Sequence, residues 1–145
     1  PREPELPELP HDVGELLPVS LSPARVFRVL VVDDETLFRT SICRLLEQYG
    51  HGVRDVADAE SARALLEEDE GFDVILLDIS MPGDGGLALH ASLPESLQRR
   101  VVLMTGKLDA EGELSGLAGG APPVLIKPFA YRELMAALER AAGRA

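Results

Sequence analysis

The chain has 145 residues, enough for one domain with its own core and too few for two of ordinary size. Hydrophobic residues make up 46% and charged residues 27%, the balance of a soluble globular protein, and one cysteine excludes a disulfide framework or a multi-cysteine zinc site. Lys and Arg number 14 against 25 Asp and Glu, a formal net charge of -11 that argues against direct nucleic-acid binding, since phosphate backbones demand clustered basic side chains.

No apolar run approaches the roughly 18 residues of a membrane span, and no signal-peptide pattern is present. The expectation is a cytoplasmic protein, or the cytoplasmic portion of a larger one, whose segment makes no membrane contact.

Residues 1–25 hold six of the eleven prolines, five acidic side chains and two Arg. Repeated Pro removes backbone donors and breaks helices, so this stretch reads as a proline-rich acidic linker or tail. Residues 26–145 form the folded domain. The tail carries -3 (five acidic, two basic) and the remainder -8 (20 acidic, 12 basic), so the acidity belongs mostly to the folded part.

From residue 26 apolar runs alternate with helical patterns. FRVLVV (27–32) is a short β-branched run ending at Asp33-Asp34. Leu37, Phe38, Ile42, Leu45, Leu46 and Tyr49 then form one helical stripe, stopped at Gly50. VRDVA (53–57) is a weaker strand, suited to an edge, and Ala62, Leu65 and Leu66 mark a second helix with Asp58 as its N-cap. DVILLD (73–78), a third helix over 86–93 and VVLMT (101–105) follow. A fourth helix near 110–118 is weakened by Gly112 and Gly116 and is expected to be short or mobile. VLIK (124–127) precedes a last helix striped by Tyr131, Leu134, Met135 and Leu138. Non-alternating apolar runs suit strands buried on both faces. Five of them alternating with helices predict a doubly wound α/β domain of three layers.

Four runs end in a polar residue: Asp33-Asp34, Asp78, Thr105 and Lys127. In an open parallel sheet the carboxyl ends of the strands share one edge, so these distant residues are predicted to meet. Any one Asp after a strand is more often a helix cap or turn former; four polar strand ends together make coincidence a poor explanation. Two carboxylates about 4 Å apart repel by roughly 4 kcal/mol at an effective dielectric near 20. Three aspartates against one lysine therefore require either a protonated carboxyl or a divalent cation. An all-oxygen ligand set favours a hard ion such as Mg2+. Such a pocket, with Lys127 and a hydroxyl donor, is furnished for a phosphoryl group, with Asp78 as a candidate nucleophile.

Asp33-Asp34, the run Asp78-Ile79-Ser80-Met81-Pro82-Gly83, Thr105 and Lys127-Pro128-Phe129 together resemble the receiver domain of two-component response regulators. The resemblance covers about residues 26–142. It implies a flavodoxin-like (βα)5 sandwich with strand order 2-1-3-4-5, and Mg2+-dependent transfer of a phosphoryl group from phosphohistidine to Asp78. By position, Asp34 is expected to bind the metal directly, Asp33 through water and Ser80 through its backbone carbonyl. Lys127 and Thr105 are expected to contact the phosphoryl oxygens. Met81, Pro82, Gly106 and Pro128 are supporting residues: Pro82 with Gly83, Gly85 and Gly86 shapes a tight loop, Gly106 leaves access open, and Lys127-Pro128 is a candidate cis peptide. The implied partner is a histidine kinase or a helical histidine phosphotransfer domain, docking on the first helix. The preferred context is the C-terminal receiver of a hybrid sensor histidine kinase, with no output domain following; a stand-alone regulator comes second.

One departure stands out. The family usually carries an aromatic residue three before the Lys, where this chain has Val124, so its ring-rotation switch cannot operate in the usual form. A phosphorylation-independent pseudo-receiver is therefore one alternative. A haloacid-dehalogenase-type phosphatase is another, but it needs a second Asp where Ser80 stands. His11, His51 and His90 lack metal-ligand spacing and are expected to be solvated. Cys43 is expected to be a quiet, partly exposed thiol, Phe129 a core residue, and residues 67–70 a solvated acidic helix end.

Overall fold

β-Branched apolar runs become strands here because a parallel sheet covered on both faces needs side chains that shed water on either side. The computed structural model describes residues 25–83, 85–106 and 122–144. In chain order these hold β1 (Arg28–Val32), α1 (Thr36–Gln48), β2 (Gly52–Val56), α2 (Ala59–Glu68), β3 (Val74–Asp78), α3 (Gly85–Ser92), α4 (Glu95–Gln98), β4 (Val101–Thr105), β5 (Val124–Ile126) and α5 (Tyr131–Arg144). The strands form one five-stranded sheet in the expected order β2-β1-β3-β4-β5. All pairings are parallel.

Burial follows position in the sheet. β3 and β4 are buried throughout and β1 at all but its first residue, whereas β2 at one edge has no fully buried residue. Successive residues of one strand point to opposite faces, which divides the core in two. Val29, Val31, Leu76, Val102 and Leu125 pack against α1 and α5 through Ile42, Leu46, Leu134 and Leu138. Leu30, Val32, Ile75, Leu77 and Leu103 pack against α2 and α3 through Ala62, Leu66 and Leu89.

Local chemistry sets the helix ends. The Asp58 carboxylate accepts the Ser61 backbone N–H at 2.7 Å, capping α2 as expected. After α1, Gly50 takes φ +89, a conformation that favours glycine, and lets the His51 N–H return to the Leu46 carbonyl at 3.1 Å.

Several expectations are corrected. Leu37 is 85% exposed rather than on the buried stripe. It lies in the first turn of α1, at the carboxyl edge, where the helix has little sheet beneath it. His51 and His90 are buried, not solvated. His51 stacks on Phe27 and its Nδ1 accepts the Phe27 N–H at 2.9 Å, while burial holds both histidines below the usual imidazole pKa. In the acidic run, Asp69 is not merely solvated: it takes a two-pronged hydrogen bond from Arg28 at 2.6 and 3.1 Å. The short helix α4, led by Pro94, was not expected. Phe129 does pack against the core, edge-on to Phe38. Cys43 is half-buried, and burial pushes its thiol up to about 11, so it is unreactive at neutral pH. The helix anticipated at 110–118 and the tail at 1–24 lie outside the described residues.

Candidate functional site

The carboxyl ends of β1, β3, β4 and β5 bring Asp33, Asp78, Thr105 and Lys127 to one edge of the sheet. Asp33 follows β1 directly and Asp78 closes β3, and both are essentially excluded from water, at 0% and 1% exposure. Asp33 is held there by the sheet, its N–H donating to the Val56 carbonyl at 3.2 Å. Arg39 of α1 adds a second clamp, donating to the Asp33 carbonyl at 2.6 Å and to the Asp55 carboxylate at 2.8 Å.

The oxygens of the two buried carboxylates are used in matching ways. Oδ1 of Asp33 accepts the Glu35 N–H at 2.8 Å, and Oδ1 of Asp78 accepts the Ser80 N–H at 2.7 Å. Oδ2 of each accepts Lys127 Nζ, at 2.8 Å for Asp33 and 3.3 Å for Asp78. A third carboxylate completes the ammonium's partners: Glu35 Oε1 at 2.8 Å. The Phe38 ring centroid lies 4.2 Å from the same Nζ, a cation–π contact. Lys127 is carried in by the β5 ladder, its N–H donating to the Thr105 carbonyl at 2.8 Å, and its bond to Pro128 is cis.

Three carboxylates against one ammonium leave the cluster net negative. Burial pushes the Asp78 pKa up; the Ser80 N–H pulls it back and Asp33 adds to the rise, so it ends above the usual aspartate value. Burial pulls Lys127 down, but hydrogen bonds to Asp33 and Glu35 and the field of Asp78 outweigh it, so its pKa lies above the ordinary lysine value. Lys127 stays charged throughout the neutral range.

The other sequence-predicted residues fall around this centre. Thr105, 1% exposed at the end of β4, has its hydroxyl 3.4 Å from the Ser80 hydroxyl, and the Gly106 N–H donates to Ser80 Oγ at 3.3 Å. Met81 is buried in the α2–α3 layer, while Pro82 and Gly106 are exposed. Val124, at the position of the expected aromatic, is 36% exposed at the start of β5. Gly86 has a structural reason that spacing alone did not reveal. A Cβ there would stand 2.5 Å from the Asp78 carbonyl oxygen and 2.8 Å from the Ile79 Cα, both backbone atoms. Only glycine lets α3 press against the end of β3 this closely.

Asp34 is exposed, and among the described residues the three carboxylates whose oxygens lie within 4.8 Å of one another are Asp33, Glu35 and Asp78. Glu35 was missed in the sequence because an acid just before a helix looks like a dipole partner. No spacing signal could have separated it from Asp34. The donor set fits a hard divalent cation: it is all oxygen, it is under-neutralised, and Asp78 is destabilised by its negative neighbour. Asp33 and Asp78 would hold such an ion from the buried side, with Asp34 approaching from the solvent side.

Comparison with known proteins identifies the family and the fold. The chain is 37% identical over 116 residues to the transcriptional regulatory protein AruR of Pseudomonas aeruginosa, covering 77% of this chain and 48% of that protein. It is 36% identical over 115 residues to the phosphate regulon transcriptional regulatory protein PhoB of Klebsiella pneumoniae, covering 77% and 50%. The chain thus spans about half the length of the curated relatives it matches. Among solved structures, the chemotaxis response regulator CheY4 of Vibrio cholerae superposes with a TM-score of 0.68 at 30% identity, covering 81% of this chain and 99% of that one. Residues 29–139, which include every strand-end residue of the cluster, match the family described as response regulator receiver domain, and the chain belongs to that family.

Proposed function

We propose that this chain accepts a phosphoryl group from a phosphohistidine onto Asp78, with Mg2+ as the metal. The observation that carries this reading is the placement of Asp78 Oδ2, buried at the end of β3 yet 3.3 Å from a fully charged Lys127 and beside a second buried carboxylate. An Asp78 oxygen attacks phosphorus, the phosphorus–nitrogen bond to the donor imidazole breaks, and the imidazole leaves with the bonding pair and takes up a proton. When bound, the dication would offset the charge of the carboxylates and of the incoming phosphoryl oxygens. Lys127 supplies a cation to those oxygens from the Oδ2 side of Asp78, while the Ser80 N–H meets Oδ1 and the Thr105 hydroxyl and Gly106 N–H lie beside the Ser80 hydroxyl.

Phosphorylation of Asp78 replaces one carboxylate with a more highly charged group, and Thr105 and Lys127 follow it, biasing a two-state equilibrium. With Val124 in place of an aromatic, that response runs through Thr105 without a rotating ring. The phosphodonor is a helical histidine-bearing domain of a kinase or phosphotransfer protein docking on α1, where exposed Leu37 offers an apolar contact beside the site. The segment works in the cytoplasm without contacting nucleic acid itself; among the described residues no helix is long and apolar enough to cross a membrane.

For the wider setting, the proline-rich tail suits a receiver within a hybrid sensor histidine kinase. AruR and PhoB, about twice the matched length and described as transcriptional regulatory proteins, favour a regulator carrying an output region instead. Both settings require the same chemistry at Asp78.

The test is incubation with Mg2+ and acetyl phosphate, followed by intact-mass measurement. A labile adduct of one phosphoryl group, lost in Asp78→Ala, is expected. No adduct from any donor would leave the binding-only pseudo-receiver that Val124 favours. Turnover of many phosphomonoesters would point to a phosphatase.

A further inference from the structure

We infer that Glu35 is a positioning residue for Lys127: it takes the ammonium when a divalent cation claims the Asp33–Asp78 pair. This rests on the metal-dependent reading above and adds to it a residue that neither the motif nor the spacing singles out.

An ammonium has three N–H donors, and all three of Lys127's are accounted for by Asp33 Oδ2, Glu35 Oε1 and Asp78 Oδ2. On both buried aspartates the other oxygen already accepts a backbone N–H. An incoming cation at this pair comes up against the ammonium that bridges the two Oδ2 atoms, and like charges repel there in a site shielded from water. Lys127 must yield. Of its three partners, Asp33 and Asp78 have side chains at most 2% exposed, whereas the Glu35 side chain is 63% exposed and free to follow an outward movement. The Phe38 ring, its centroid 4.2 Å from Nζ, gives the ammonium a further contact from α1. Lys127 can thus leave the aspartates without leaving the site, and it stays within reach of a phosphoryl group.

The consequence is an energetic coupling that runs through Lys127. The Glu35–Lys127 pair strengthens when the aspartates are taken, so Glu35 favours cation binding only while Lys127 is present. The experiment is a Mg2+ titration by NMR chemical shift on the full chain, its Glu35→Gln and Lys127→Met variants, and the double variant, each first checked for a native spectrum.

Glu35→Gln is expected to weaken Mg2+ binding about two- to five-fold, the range for a solvent-exposed ion pair. Lys127→Met is expected to tighten binding by removing the competitor. In the Lys127→Met background the effect of Glu35→Gln is expected to shrink toward none. An equal loss in both backgrounds would show Glu35 acting on the cation itself and would overturn the inference. So would unchanged or tighter binding in Glu35→Gln, or no tightening in Lys127→Met. If none of the four proteins responds to Mg2+, the metal-dependent reading fails and takes the inference with it; a response indifferent to Glu35 removes the inference alone.

Discussion

The two ends of the sheet treat charge in opposite ways. At the amino edge, Arg28 opens β1 and meets Asp69 through both guanidinium arms, while its N–H donates to the Asp73 carboxylate at 2.8 Å. Arg100, just before β4, donates to the carbonyls of Glu70 and Phe72 at 2.7 and 3.1 Å. Arg28 also lies over the Phe72 ring at 4.3 Å. Each guanidinium meets acceptors here, although the buried Arg100 Nε has none, and the Arg28–Asp69 pair is partly in water. At the carboxyl edge three carboxylates share one ammonium, and two of the three are buried.

A matched, solvated cluster ties strand ends together and asks for nothing further. A buried, under-neutralised one stores electrostatic energy that a cation can release. The two aspartates show the contrast directly. Arg28's hydrogen bond, seconded by the Gly71 N–H, holds Asp69 down at about 2, whereas burial and Asp33 push Asp78 up.

The largest expected effect comes from breaking the backbone approach that places Asp78. Gly86→Ala drives a Cβ into backbone atoms that cannot rotate away, and should cost about 1–3 kcal/mol by urea denaturation while slowing adduct formation at Asp78. By contrast Gly106→Ala, where a new Cβ meets nothing within 4 Å, should leave stability nearly unchanged.

Next in size, Asp78→Asn should stabilise the fold by roughly 0.5–2 kcal/mol at neutral pH, because it removes a buried charge beside Asp33. The sign follows from linkage. A folded pKa above the unfolded value means that the folded state is penalised once the pH exceeds that raised pKa. The penalty fades as the pH falls toward the unfolded value near 3.9. The variant should therefore lose the part of the pH dependence that favours mild acid. Destabilisation by Asp78→Asn would sink the idea of a strained site.

The smallest effect belongs to the amino edge. Asp69's folded pKa lies below its unfolded one, so its contribution is present above about pH 4 and disappears as the pH falls toward about 2. Asp69→Asn should shift the thermal midpoint only slightly at pH 7 and not at all near pH 2. A large shift at pH 7 would mean that the matched cluster matters more than its exposure allows.

Much of this was legible in the residues alone. The apolar runs marked the strands, the alternation with helical stripes implied a parallel sheet, and the polar residues ending four runs had to share its carboxyl edge. Asp33, Asp78, Thr105 and Lys127 therefore belong together on sequence grounds alone, because strand direction and crossover handedness leave no other place for them. The burial of His51 and the exposure of Leu37 were not legible. Both depend on the phase and overhang of α1 against the sheet, which a 3.6-residue period does not determine near a helix end.

Glu35 shows the same boundary at the site itself. The sequence determined that acidic side chains cluster after β1, because their types and order are written there. Only the tertiary structure decided which of Asp33, Asp34 and Glu35 turns inward. That choice depends on two backbone N–H groups, one ammonium and the first turn of α1 meeting within a few ångströms, and those atoms come from three segments far apart in the chain.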